Sequence, residues 1–110
     1  MGVELPSSVN AAIEEVKLAL REIYGDRLRG VYLYGSYARG EASEDSDVDL
    51  LLVLDGPVET GIEIDRMSSA VSRICLQYDL LISTLPISAE WLETKVTPFL
   101  VNVRKEGVLV

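Results

Sequence analysis

Apolar positions change their spacing along this chain, and each change marks an element. Val9, Ile13, Val16, Leu20 and Ile23 recur at helical spacing with Glu14, Glu15, Lys17 and Arg21 off the stripe, which predicts an amphipathic helix. Ser7 or Ser8 after Pro6 is placed to cap it, and Gly25 to end it. Gly30-Val31-Tyr32-Leu33-Tyr34 is β-branched and aromatic and predicts a strand running into Gly35-Ser36, with a helical turn from Tyr37 to about Glu41. The second strand, Asp47 to Leu54, is almost unbroken in apolar character and stops at Asp55-Gly56-Pro57.

Ile64, Met67, Val71 and Ile74 define a second amphipathic helix, followed by a third strand from Tyr78 to Ser83. Trp91 and Leu92 fall in a short helix after Pro86, and that region together with Phe99 is read as core. Thr97-Pro98 matches an N-cap with proline in the first helical position, opening a last helix through Phe99, Leu100 and Val103 to Gly107. Val108 to Val110 then suits a short edge strand. No repeat or linker interrupts the series, so residues 1–110 are expected to form a single α/β (α+β) domain, a small mixed sheet packed with helices.

One segment carries chemistry. Side chains alternate across a strand, so Asp47 and Asp49 share a face, ~6–7 Å apart at their Cα atoms, while Val48 points into the core. Asp49 lies inside an apolar strand, where an unpaired carboxylate is costly. Two such groups facing one spot suit a hard cation such as Mg²⁺ bridging to a phosphate. Other motifs with similar letters fail. An EF-hand would need Gly and Glu where the chain has Leu50 and Gly56, and a P-loop would need Lys and Ser or Thr at Glu41 and Ala42. Ser36 has no histidine to activate it, because the chain has none.

A Gly-Ser turn followed ten residues later by Asp-x-Asp resembles the DNA polymerase β-type nucleotidyltransferase superfamily, and in particular the minimal nucleotidyltransferases of bacteria and archaea. The resemblance covers nearly the whole chain. It implies that Gly35 and Ser36 grip a nucleoside triphosphate, that Asp47 and Asp49 bind two magnesium ions, and that a third carboxylate on a later strand, Asp79 in Tyr78-Asp79-Leu80-Leu81-Ile82-Ser83, completes the metal site. Because the chain has no histidine, Asp79 is also the group best placed to accept the acceptor's proton, directly or through water. Arg39, one turn after Gly-Ser, is a candidate phosphate contact. The resemblance further implies an antitoxin that transfers AMP from ATP to a tyrosine of a HEPN-type toxin. Two other readings are a non-catalytic acidic module that neutralises a partner, and an aminoglycoside-type nucleotidyltransferase acting on a small cationic substrate.

Composition narrows the partners. With 10 basic and 18 acidic side chains the net charge is −8, a field that repels phosphate backbones and argues against DNA or RNA as acceptor. At 110 residues there is no room for a second lobe, so a partner or self-association is expected to supply the missing acceptor surface. Cys75 is the only cysteine and reads as a buried structural thiol. With neither a leader pattern nor a membrane-length apolar run, the cytoplasm is the expected location.

Overall fold

A computed structural model of the chain describes residues 4–110. Helix α1 (Ser7–Tyr24) leads through a 3₁₀ turn (Gly25–Arg27) into β1 (Leu28–Tyr34), then α2 (Ser36–Arg39), β2 (Val48–Leu54), α3 (Thr60–Tyr78), β3 (Ile82–Ser88), α4 (Ala89–Thr94), α5 (Pro98–Glu106) and β4 (Val108–Leu109). The four strands form one mixed sheet in the order β3-β2-β1-β4, the small mixed sheet with helices that the sequence predicts. β2 pairs antiparallel with β1 and parallel with β3, the parallel step being the crossover made by α3.

The sheet has two unequal faces. Val31, Leu33, Val48, Leu50, Leu52 and Leu54 pack with α1 and α3 into the main core. Leu51 and Val53 point the other way, where Val103 of α5 and the partly buried Leu85, Ile87 and Leu92 form a smaller cluster. β2 is central and covered on both sides, which is why its apolar run is nearly continuous rather than alternating.

Several boundaries differ from the expected ones. Ser7 and Ser8 are helical and no side chain caps α1; Pro6 stands at its N-cap, with its carbonyl accepting from Asn10 N at 3.0 Å. Tyr24 rather than Ile23 takes the last buried position of α1, and Glu63 rather than Ile64 the first of α3. The two substitutions have one cause. The Tyr24 hydroxyl donates to Glu63 Oε1 at 3.1 Å, and Arg66 and Arg27 stand 3.7 and 3.9 Å from the same carboxylate, so a buried acid is accommodated where a hydrophobe was expected.

The third strand is displaced most. α3 continues to Tyr78, whose hydroxyl bonds Glu15 on α1, and β3 begins only at Ile82 and runs through Pro86. Pro86 is tolerated because β3 is an edge strand. The cap of α5 is as expected, with Thr97 Oγ1 accepting from Leu100 N at 3.2 Å, and β4 is the short edge strand.

Burial and the Glu63 contact raise the Tyr24 hydroxyl from 10.0 to about 12. The native state therefore holds this proton more tightly than the unfolded chain, so its stabilising contribution is complete below pH 10 and is lost as pH rises toward 12. Tyr24→Phe is expected to cost ~1 kcal/mol at neutral pH and to flatten the alkaline fall in stability. Urea denaturation at neutral and alkaline pH measures both; an unchanged alkaline slope would contradict the assignment.

Candidate active site

The antiparallel pairing of β1 with β2 brings the end of one to the start of the other, placing Tyr34 opposite Asp49. The chain must turn at once, and Gly35 does so at φ 76°, ψ −155°, a region open essentially to glycine alone. There is a second reason for glycine: a Cβ on this residue would collide with the Asp49 carboxylate. Ser36 then starts α2, whose first N–H groups have no partner within the helix. Gly35 O accepts from Arg39 N at 3.2 Å, and Ser36 O from Glu41 N at 2.9 Å, closing the turn. Ser46 Oγ accepts from Ser43 N at 2.8 Å, and Val48 N donates to Leu81 O at 2.9 Å, fixing the approach to β2.

Gly35, Ser36, Asp47 and Asp49 are thereby gathered at one end of the sheet, on the face covered by α5. Asp47 is exposed and Asp49 half-buried. Burial, and then the charge of Asp47, push the Asp49 carboxyl above its usual range, against a smaller opposing pull from Arg39. Tyr34 is raised by burial and by Asp49. Its ring meets Phe99 of α5 edge-on at 5.4 Å. Arg39 pairs with Glu41 at 2.9 Å and with Glu106 of α5 at 3.6 Å, and it lines a cavity of about 160 Å³ with Tyr34, Gly35, Phe99 and Asn102. Two hard oxygen donors on one face, one of them destabilised as an anion by the other, fit a divalent cation well.

Asp79 does not join this group. It lies on no strand; it is the exposed C-cap of α3 in the left-handed conformation, φ 52°, with its N–H donating to Cys75 O. An aspartate tolerates that conformation better than most residues. Among the described residues, no three His, Cys, Asp or Glu side chains are placed to hold a metal together. The β3 residue paired with Asp49 is Ser83. Ser83 stands beside Asp49 by strand register, and Phe99 and Glu106 stand beside Gly35 and Arg39 by the docking of α5, neighbours that the sequence alone does not mark.

Trp91 and Phe99 are not core: they are 54% and 40% exposed. They line a larger groove of about 820 Å³, with Leu85, Pro86, Ile87 and Leu100, that shares Phe99 with the smaller cavity.

Because the native state holds the Asp49 proton more tightly than the unfolded chain, stability falls as pH rises through the range just above ordinary carboxylates. Asp47→Asn is expected to return Asp49 toward its usual range and to stabilise the metal-free protein by about 0.5 kcal/mol, the repulsion of two unit charges ~7 Å apart in a water-like dielectric. Carboxyl-carbon NMR titration and urea denaturation check these outcomes; an unmoved Asp49 titration would show that the two charges do not meet.

Residues 13–107 match the nucleotidyltransferase domain family. Two chains from Methanocaldococcus jannaschii, each named as an inferred protein adenylyltransferase, are similar over nearly their full lengths. One is 34% identical over 97 residues, 87% of this chain and 91% of its own. The other is 40% identical over 98 residues, 89% and 94% of the two chains. A crystal structure of a toxin–antitoxin with AMP-PNP superposes with a TM-score of 0.63 over 87% of this chain and 69% of that one, at 18% identity, a likeness of fold. The turn, the acid pair and these relatives agree, and the chain belongs to the nucleotidyltransferase domain family, as one of its minimal nucleotidyltransferases.

Proposed function

We propose that this nucleotidyltransferase moves AMP from ATP onto a tyrosine hydroxyl of a HEPN-type toxin and so serves as its antitoxin. The observation that carries the reading is the packing of Gly35 against Asp49, which sets the Gly35-Ser36 turn directly beside an acid pair, where its backbone would meet a bound phosphate. The relatives named for protein adenylylation, and the toxin–antitoxin with an ATP analogue, support AMP as the group moved and a toxin as its recipient.

In this mechanism the N–H groups at the start of α2 hold the phosphates, and Arg39 exchanges its Glu41 or Glu106 partner for a phosphate oxygen. Asp47 and Asp49 would hold magnesium, which when bound would offset charge on the departing pyrophosphate. The tyrosine oxygen attacks the α-phosphorus in line. A new P–O bond forms as the bond to pyrophosphate breaks, and the phenolic proton leaves to water at the open rim beside the exposed Asp47. The apolar groove with Trp91 and Phe99 suits a protein acceptor, and the net charge of −8 disfavours a nucleic acid. Among the described residues no helix is long and apolar enough to cross a membrane.

Asp49→Asn is the decisive variant. It is expected to remove at least ~4 kcal/mol of transition-state stabilisation, about a thousandfold in rate, while the fold persists. With ATP and Mg²⁺, wild type should add the mass of AMP to the co-expressed toxin and restore growth; Asp49→Asn should still co-purify with the toxin but do neither. Full rescue by the variant with no mass added would establish a binding module instead of an enzyme.

A further inference from the structure

We infer that Glu106 is a positioning residue of the nucleotide site: it stands at the end of the Arg39 guanidinium that a phosphate would take and yields it to a polyphosphate, whereas Glu41 keeps its hold and aims the group. The inference rests on the reading of Arg39 as a phosphate contact.

The two carboxylates hold Arg39 unequally. Glu41 Oε1 accepts from Arg39 Nε at 2.9 Å, a charge-assisted hydrogen bond made within the turn that follows α2. Glu106 Oε2 stands 3.6 Å from Nη1, beyond hydrogen-bond length, and belongs to a different element as the last residue of α5. A guanidinium is a rigid planar fork, so fixing Nε also fixes the direction of Nη1 and Nη2, the two nitrogens able to give a phosphate parallel N–H bonds. The weaker partner is therefore the one standing at that end. Arg39 is tied through its backbone as well, its N–H donating to Gly35 O at 3.2 Å, so its side chain sets out from the Gly-Ser turn itself.

Nothing in α5 itself favours an acid at position 106. The residue closes the helix, where the dipole prefers cations, and the preceding Arg104 and Lys105 follow that preference. Among the described residues, Arg39 is its only ion-pair partner. Both side chains line the cavity of about 160 Å³ that also touches Gly35, so a phosphate seated over the turn would meet the guanidinium where Glu106 stands. A triphosphate brings several negative charges against that one carboxylate. Glu106 is 44% exposed, so it loses little by turning to water. The exchange thus favours a polyphosphate over a monophosphate, and removing the competitor should improve binding of the first alone.

Calorimetry on the full chain with Mg²⁺ and either AMP-PNP or AMP tests this without turnover. Glu106→Gln should bind AMP-PNP about two- to fivefold more tightly than wild type, the range that one exposed ion pair spans, with AMP affinity unchanged. Glu106→Ala should reproduce the gain, so the outcome does not hang on a single replacement. Glu41→Gln should show no gain, and in an Arg39→Gln background Glu106→Gln should change nothing. Unaltered AMP-PNP affinity in both Glu106 variants would overturn the inference. So would an equal gain in Glu41→Gln, an equal gain for AMP, or a gain that survives Arg39→Gln, each of which marks a general charge effect in place of competition for one guanidinium. AMP-PNP binding that Asp49→Asn weakens but the Glu106 variants leave alone overturns this inference and not the proposed function; wild-type protein that binds no AMP-PNP overturns both. Circular dichroism checks that each variant is folded.

Discussion

The site depends on one close approach, the backbone of Gly35 against the carboxylate of Asp49. β1 and β2 are antiparallel neighbours, so the end of one and the start of the other are adjacent for reasons of sheet pairing alone. The proposed function requires more, because the turn leaving β1 must then pass directly over an acid on β2. Glycine at φ 76° meets both conditions: it adopts a conformation other residues rarely reach, and it leaves room for the carboxylate. The direction of α2 and the half-burial of Asp49 follow from that contact. Any side chain at position 35 would meet the Asp49 carboxylate first.

The same contact makes the metal-free site uncomfortable. Asp49 is pushed up by burial and by Asp47, and the opposing pull of Arg39 is the smallest of the three influences. Arg39 is shared between Glu41 and Glu106, so its charge is largely spoken for before any nucleotide arrives. Exposed pairs of this kind contribute ~1 kcal/mol or less and exchange easily. On the proposed reading, magnesium would answer the two carboxylates and a triphosphate the guanidinium, so that one ligand complex would satisfy both.

Local signals in the chain were sufficient for some of this and not for the rest. The apolar run of β2, the Gly-Ser turn and the Asp47 and Asp49 alternation are legible because each depends on residues adjacent in sequence. Asp79 was misplaced because helix α3 ends where its packing on α1 ends, at Tyr78 bonded to Glu15, and no local signal states that length. Ser83 could not be seen as the partner of Asp49, since parallel register is set by the α3 crossover and not by a turn motif. Tyr24 and Glu63 exchanged places with Ile23 and Ile64 for a similar reason: a buried hydrogen bond between two helices outweighed the apolar stripe of each. Trp91 and Phe99 look like core by composition, but α4 and α5 are too short to cover the second face of the sheet.

That incomplete second face gives the domain its direction of approach. The face under α1 and α3 is closed, and the bulk of the core lies there. The opposite face carries the acid pair at one end, the groove with Trp91 and Phe99 along its side, and Phe99 belonging to both cavities. On the proposed reading, a partner that buried the exposed aromatic surface would be brought beside the reacting phosphate by the same contact. On that reading the energy of covering apolar area would be one means of holding an acceptor hydroxyl in line. On the proposed reading, recognition and catalysis would then share one face of one sheet.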